Sequence, residues 1–145
     1  MRLLPILISL AACGSTQPMV DVSGKDSDVT QLAGRWEGTY SGRESGRSGT
    51  VFFDLVAGYH SAEGKVIMNA GDPAKARELK LKFIEIEGRR LSGTIAPYTD
   101  PACNCTVQTT FVGAVKGNLL EGTFTTRPLG GSTEQGGTWS ATRKE

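Results

Sequence analysis

Four segments of the chain repeat one pattern, in which a glycine stands between two large apolar residues at alternate positions. The segments are 36–40, 91–95, 111–115 and 120–124. Successive side chains of a β-strand point to opposite faces, so each segment places its large residues and its glycine on one face. An inward glycine permits sharp strand coiling or leaves room for a bulky neighbour. The pattern predicts a small curved sheet with four inward glycines, at positions 38, 93, 113 and 122.

The rest of the chain has the same β character. It contains 19 glycines, and turn signals separate short β-like stretches from Leu32 onward. We predict strands over 34–41, 50–57, 65–70, 79–87, 90–96, 106–115, 118–126 and 137–143. In the fourth of these, Leu79, Leu81 and Phe83 share one face, and Ile84 and Ile86 take the other. A β-bulge near Phe83-Ile84 would bring both sets to one side.

Short connections between consecutive strands predict antiparallel neighbours and hence an up-and-down meander. Closing a meander into a barrel removes its exposed edges, because the first and last strands then pair. The predicted fold is therefore all-β, an eight-stranded antiparallel up-and-down β-barrel formed by residues 32–145. An open β-sandwich of the same strands is the alternative.

The N-terminus has the three-part layout of a secretory signal. Arg2 supplies a positive charge, residues 3–12 are mostly apolar, and small residues precede Cys13. The apolar run is too short to span a bilayer, which takes about 20 residues as a helix. Leu10-Ala11-Ala12-Cys13 also resembles the lipobox of bacterial lipoproteins. The alternative is an ordinary secretory signal with an incidental cysteine.

The lipoprotein resemblance implies removal of residues 1–12 and attachment of diacylglyceryl and a further acyl chain, such as palmitate, to Cys13. Two or more acyl chains hold a protein firmly on a membrane. Gly14 follows the cysteine in place of the acidic residue that retains many such proteins at the inner membrane. The resemblance therefore implies a cell-envelope protein, on the outer membrane where the organism has one.

The segment 13–31 is predicted to be the lipidated cysteine and a flexible tether, because it is mostly polar and small and lacks periodicity. Net charge is +1, and loss of Arg2 with the signal leaves 15 basic and 15 acidic residues. A neutral chain without a basic cluster argues against nucleic acid as a partner. The lipid anchor is then what would hold the protein at the membrane.

Gly34-Arg35-Trp36 opens the first predicted barrel strand, and Arg143 lies in the last. This arrangement resembles the calycin group of barrels, which includes lipocalins, avidins and fatty-acid-binding proteins. The resemblance implies a barrel in which Arg143 packs over Trp36 in a cation–π contact. The other lipocalin motifs are absent from the chain, so the resemblance implies the fold and not the ligand.

Cys103 and Cys105 flank Asn104 after Pro101. A fully extended strand would point both sulfurs to one face, and a bond between them needs the backbone to bend. Pro101 and Asn104 favour a turn there. In an oxidising envelope we predict a structural disulfide. A redox-active pair is the alternative, because strained small-ring disulfides are readily reduced.

The aromatic residues Trp36, Tyr40, Phe111, Phe124 and Trp139 are predicted to line a ligand cavity or to fill the barrel. The predicted function is a binding module for a small apolar ligand. The alternative is a protein-interaction module, such as a hydrolase inhibitor or an envelope scaffold. Enzymatic activity ranks last, since His60 is the only histidine and no nucleophile motif accompanies it. We predict no cofactor and no metal site.

Overall fold

The computed structural model describes residues 19–56, 58–69, 71–131 and 133–144, so the signal segment and Cys13 lie outside the described residues. In this part of the chain nine strands and one short helix follow one another. They are β1 (Met19–Ser23), α1 (Asp26–Gln31), β2 (Gly34–Gly42), β3 (Ser48–Leu55), β4 (Ser61–Met68), β5 (Arg77–Glu87), β6 (Arg90–Asp100), β7 (Cys105–Lys116), β8 (Leu119–Pro128) and β9 (Gln135–Lys144). None of the described helices has the length and apolar character needed to cross a membrane.

All strands belong to one closed barrel, in the order β1-β4-β3-β2-β9-β8-β7-β6-β5. From β2 to β9 each strand pairs antiparallel with the next, and β9 pairs back onto β2. The predicted closed all-β barrel is confirmed, in place of the open sandwich. The predicted count of eight is corrected to nine, because β1 joins the wall between β4 and β5.

Strand β1 and helix α1 correct the predicted tether. Residues 19–31 were expected to be flexible, yet they form an ordered strand and a helix. In β1, Val20 and Val22 are buried and alternate with exposed residues. Val29 of α1 is buried as well. Burial of these three valines, together with strand pairing on both sides of β1, outweighs the polar character of the segment.

The predicted bulge in β5 is present. The register of β5 with β6 shifts between Leu81 and Phe83, slightly before the predicted position. As a result Leu79, Ile84 and Ile86 are all buried although their sequence spacing changes phase. The bulge lets one strand direct two out-of-phase apolar sets into the same interior.

The inward glycines of the repeated pattern are also observed. Gly93 and Gly113 are buried. A Cβ atom at Gly113 would overlap the ring of Trp139, and one at Gly122 would lie 2.6 Å from Trp139 Nε1. At Gly38 it would overlap the backbone of β9. These positions therefore make room for a large side chain and for close approach of two strands.

Helix α1 covers one end of the barrel, which we call the closed end. Leu32, just after α1, and Trp36 of β2 are each 0% exposed and belong to the main hydrophobic core. Asp28 of α1 accepts a hydrogen bond from the Gly88 N–H of the β5–β6 turn at 3.1 Å. The opposite end, which we call the open end, carries the connections β2–β3, β4–β5, β6–β7 and β8–β9.

Arg143 joins the last strand to the closed end. Its guanidinium lies 4.7 Å from the ring centroid of Trp36, so the predicted cation–π contact is confirmed. The same guanidinium donates hydrogen bonds to the carbonyls of Ala33 and Gln31, each at 2.9 Å. Trp36 Nε1 donates to the Leu32 carbonyl at 3.0 Å. Two side chains thus satisfy carbonyl groups at the C-terminal end of α1.

We expect Arg143→Ala to lower the free energy of unfolding by about 2–3 kcal/mol, because it removes two charged hydrogen bonds and the contact with Trp36. Urea unfolding measures the change. Lys144→Ala, at the neighbouring exposed position, is the matched control and should stay within about 0.5 kcal/mol of the parent. Equal effects of the two substitutions would contradict the role of Arg143.

Candidate functional site

The barrel contains a cavity of about 80 Å³, partly open to solvent, between the closed-end core and the open end. Its walls are mainly apolar. The lining from β3, β4, β5 and β6 comprises Val51, Phe53, Val66, Leu79, Leu81, Ile84, Leu91, Ile95 and Tyr98. Sites for drug-sized ligands usually span about 300–1,000 Å³. Side chains therefore fill most of this interior, and the remaining space suits one compact molecule.

Four of the five aromatic residues predicted from the sequence line this cavity: Tyr40, Phe111, Phe124 and Trp139. They form two edge-to-face pairs. The ring centroids of Tyr40 and Phe124 are 5.6 Å apart, and those of Phe111 and Trp139 are 6.0 Å apart. Trp139 Nε1 donates to the Val112 carbonyl at 3.1 Å, which fixes the indole against the wall. The pairs form a rigid aromatic side of the cavity.

The fifth predicted residue, Trp36, lies outside the cavity. It is 0% exposed and stacks on Phe53, with ring centroids 6.0 Å apart. Trp36 is the third residue of β2 and therefore lies at the closed end, between that end and the cavity. Alternation correctly predicted that Trp36 points inward, but it carries no information on depth along the barrel.

Hydroxyl groups collect at the open-end side of the cavity, on Tyr40, Tyr98, Thr109 and Thr126. Thr109 Oγ1 and Thr126 Oγ1 are 2.6 Å apart. Tyr98 and both threonines were not predicted from the sequence. A signal for the threonines was present, because Thr109 is two residues before Phe111 and Thr126 two residues after Phe124. Extending the alternating pattern beyond its apolar members would have placed both hydroxyls inside.

An ion pair spans the open end. Arg47, in the β2–β3 connection, donates to Asp100 Oδ1 at 2.5 Å, and the two side chains are 19% and 7% exposed. Two strands separate these hairpins in either direction around the barrel at this end, by way of β4 and β5 or of β9 and β8. The pair therefore connects opposite sides of the open end.

The charges and hydroxyls at this end affect one another. Burial, followed by the nearby Tyr98, raises the pKa of Tyr40 to about 12. Burial also raises the pKa of Tyr98. The hydrogen bond from Arg47 holds the pKa of Asp100 below its ordinary value of 3.8. At neutral pH both phenols are therefore uncharged and the Arg47–Asp100 pair is fully ionised.

Cys103 lies in the turn that follows Asp100, and Cys105 begins β7. Their Cα atoms are 5.1 Å apart and their sulfur atoms are at bonding distance. The backbone bends at Asn104, whose φ is +50°. Asp100 Oδ1 also accepts a hydrogen bond from the Ala102 N–H at 2.8 Å. The tight cysteine turn thus helps to hold the carboxylate that reaches Arg47.

His60 lies away from the cavity, near the closed end. Its ring nitrogens are 2.7 Å from Asp26 Oδ1 and 3.2 Å from the Val22 carbonyl. These contacts attach β1 and α1 to the β3–β4 connection. Within the described residues, no group of three or more His, Cys, Asp or Glu side chains is placed to hold a metal ion.

No protein-family model matches the chain, and no curated protein matches it.

We expect Asp100→Asn to be less stable than the parent at neutral pH, with a difference that disappears in acid. The folded pKa of Asp100 is depressed, so the ion pair's contribution is full above the ordinary pKa and is lost as pH falls through the folded value. Urea unfolding from about pH 7 to about pH 2 measures the gap. Asp21→Asn, at an exposed position of β1, is the control. A gap unchanged at the acid end would refute the stabilising role of Asp100.

Proposed function

We propose that this chain is a lipid-anchored envelope protein whose barrel binds a small, compact apolar molecule carrying one neutral polar group. The observation that carries the proposal is the composition of the cavity. Its aliphatic and aromatic walls leave room for an apolar body, and its hydroxyls are gathered on the open-end side. A ligand with a polar group at one end fits this distribution.

The charge state of the site favours a neutral polar group on the ligand. Tyr40 and Tyr98 stay protonated at neutral pH because burial raises the pKa of each phenol. Arg47 is engaged by Asp100, so the nearest charges compensate each other. A charged ligand group would lose its hydration without gaining an unpaired partner of opposite charge. A hydroxyl or carbonyl could exchange hydrogen bonds with the threonine and tyrosine hydroxyls.

The protein-interaction alternative has less support. Among the described residues the exposed large apolar side chains belong to β1, β7 and two separate connections: Met19, Val56, Tyr59, Val112 and Leu129. A protein-binding surface would favour a contiguous apolar patch.

The proposed anchor would keep the barrel close to the membrane. Only residues 14–18 separate Cys13 from the start of β1 at Met19. A fully extended chain over this interval spans at most about 20 Å. Attachment at Cys13 would therefore hold the β1 side of the barrel near the lipid headgroups. The tether is shorter than the sequence alone suggested.

Binding can be tested with two small probes observed by ¹⁹F NMR, fluorobenzene and 4-fluorophenol. We expect both to bind, and 4-fluorophenol to bind more tightly because its hydroxyl meets the polar side of the cavity. Tyr98→Phe should weaken 4-fluorophenol about two- to tenfold, the value of one neutral hydrogen bond, and leave fluorobenzene unchanged.

Tyr59→Phe is the matched control, since Tyr59 is 64% exposed and does not line the cavity. It should alter neither affinity. If neither probe binds the parent protein, the binding function is wrong. If Tyr98→Phe and Tyr59→Phe behave alike, the polar side of the site is wrongly assigned.

The anchor is tested by Cys13→Ala, which removes the thiol that would be acylated. We expect the variant to leave the membrane fraction, either as soluble protein or as unprocessed precursor. Cys103→Ala, which keeps Cys13, should stay with the membranes. Normal cleavage of Cys13→Ala with unchanged membrane fractionation would rule out lipid anchoring at this residue.

A further inference from the structure

A crevice of about 350 Å³ opens on the outer wall of the barrel, away from both ends. It lies where β1, β4, β5 and β6 meet. Its apolar lining includes Met19, Leu81, Ala96 and Pro97. Lys80, Lys82 and Glu78 also line it. The crevice is thus an apolar groove bordered by charged side chains.

The crevice results from how the strands pair. At the open end β4 and β5 pair directly, and the last pair toward the closed end is Lys65 with Lys80. Closer to the closed end β1 lies between them, beginning with Met19 opposite Glu63. Gly64 falls between these two stretches. The ladder between β4 and β5 is therefore interrupted where β1 enters the wall.

Leu81 is the side chain that the crevice and the internal cavity share, since it lines both. It follows Lys80 and immediately precedes the bulge of β5. A Cβ atom at Gly64 would overlap Leu81 Cδ1, so the glycine leaves the space that the leucine occupies. A change of the Leu81 rotamer would open a path through the wall without breaking a strand-to-strand hydrogen bond.

We propose that this crevice is the entrance to the cavity and that Leu81 is its gate. The proposal rests on the ligand-binding function proposed above and adds the route of the ligand. The open end is a poor route by comparison. Passage there runs past the Arg47–Asp100 pair that spans this end, and separating the two would leave a nearly buried carboxylate unpaired. Passage at the crevice displaces one apolar side chain.

The position of the crevice suits an apolar ligand. Met19, which lines it, is also the point where the chain from Cys13 reaches the barrel. On the lipid-anchored protein the entrance lies within about 20 Å of the acylated residue, the full extension of the intervening chain. Apolar molecules concentrate in lipid, so a lateral entrance near the anchor receives the ligand where it is most abundant.

The test is the exchange rate of fluorobenzene, measured by ¹⁹F NMR line broadening on the purified protein. Ala96→Trp places a large ring in the crevice from outside the cavity. We expect the association and dissociation rates to fall together by about tenfold, a barrier effect that leaves Kd unchanged. Thr138→Trp, at an exposed position of β9 across the barrel, is the matched control and should change neither rate.

Leu81→Ala supplies a second measurement should Ala96→Trp fail to fold. We expect it to raise the association rate, because the gate is smaller. Faster exchange in Arg47→Ala with no effect of Ala96→Trp or Leu81→Ala would overturn the proposal and assign entry to the open end. A weaker Kd in Ala96→Trp at an unchanged association rate would overturn it as well. Absence of fluorobenzene binding in the parent would remove the proposed function itself, a distinct result.

Discussion

The pairing of β2 with β9 is the constraint on which the rest of this molecule depends. Eight consecutive residue pairs, from Arg35 with Lys144 to Gly42 with Gly137, turn a meander into a ring. The two strands approach so closely at Gly38 that a side chain there would overlap the backbone of β9. This contact also places Arg143 beside Trp36 and the carbonyls that follow α1. The pairing of β2 with β9 therefore both closes the sheet into a barrel and positions Arg143 to hold the closed end.

Ring closure limits what the interior can hold. A barrel of about eight strands is just wide enough to be filled by side chains or to hold one small ligand. Here Trp139 takes the space that Gly113 and Gly122 leave, and the paired aromatics occupy much of the remainder. What stays open is about 80 Å³. Gly113 and Gly122 thus limit the size of the ligand indirectly, because they allow the Trp139 ring to occupy part of the barrel interior.

The alternation of apolar and polar residues predicted the eight strands of the meander. Each of these strands has one buried and one exposed face, so apolar and polar residue types alternate along it. The alternation predicted β1 poorly. Only Val20 and Val22 carry the pattern there, and polar residues surround them. It also could not predict the contact of Arg47 with Asp100, which lies between two connections 53 residues apart in sequence. Which connections meet across a barrel follows from its closure, and no local pattern contains that information.

The same topology explains why the crevice lies in the wall of the barrel. Strand β1 begins with Met19 opposite Glu63, and from Lys65 onward the same edge of β4 is paired with β5. β1 therefore takes the place of β5 beside β4 only on the closed-end side of Gly64. Gly64 lies in the interval between the two pairings, and Leu81 lies beside it. The short segment that adds a ninth strand therefore both completes the core with its valines and creates the break that Leu81 covers.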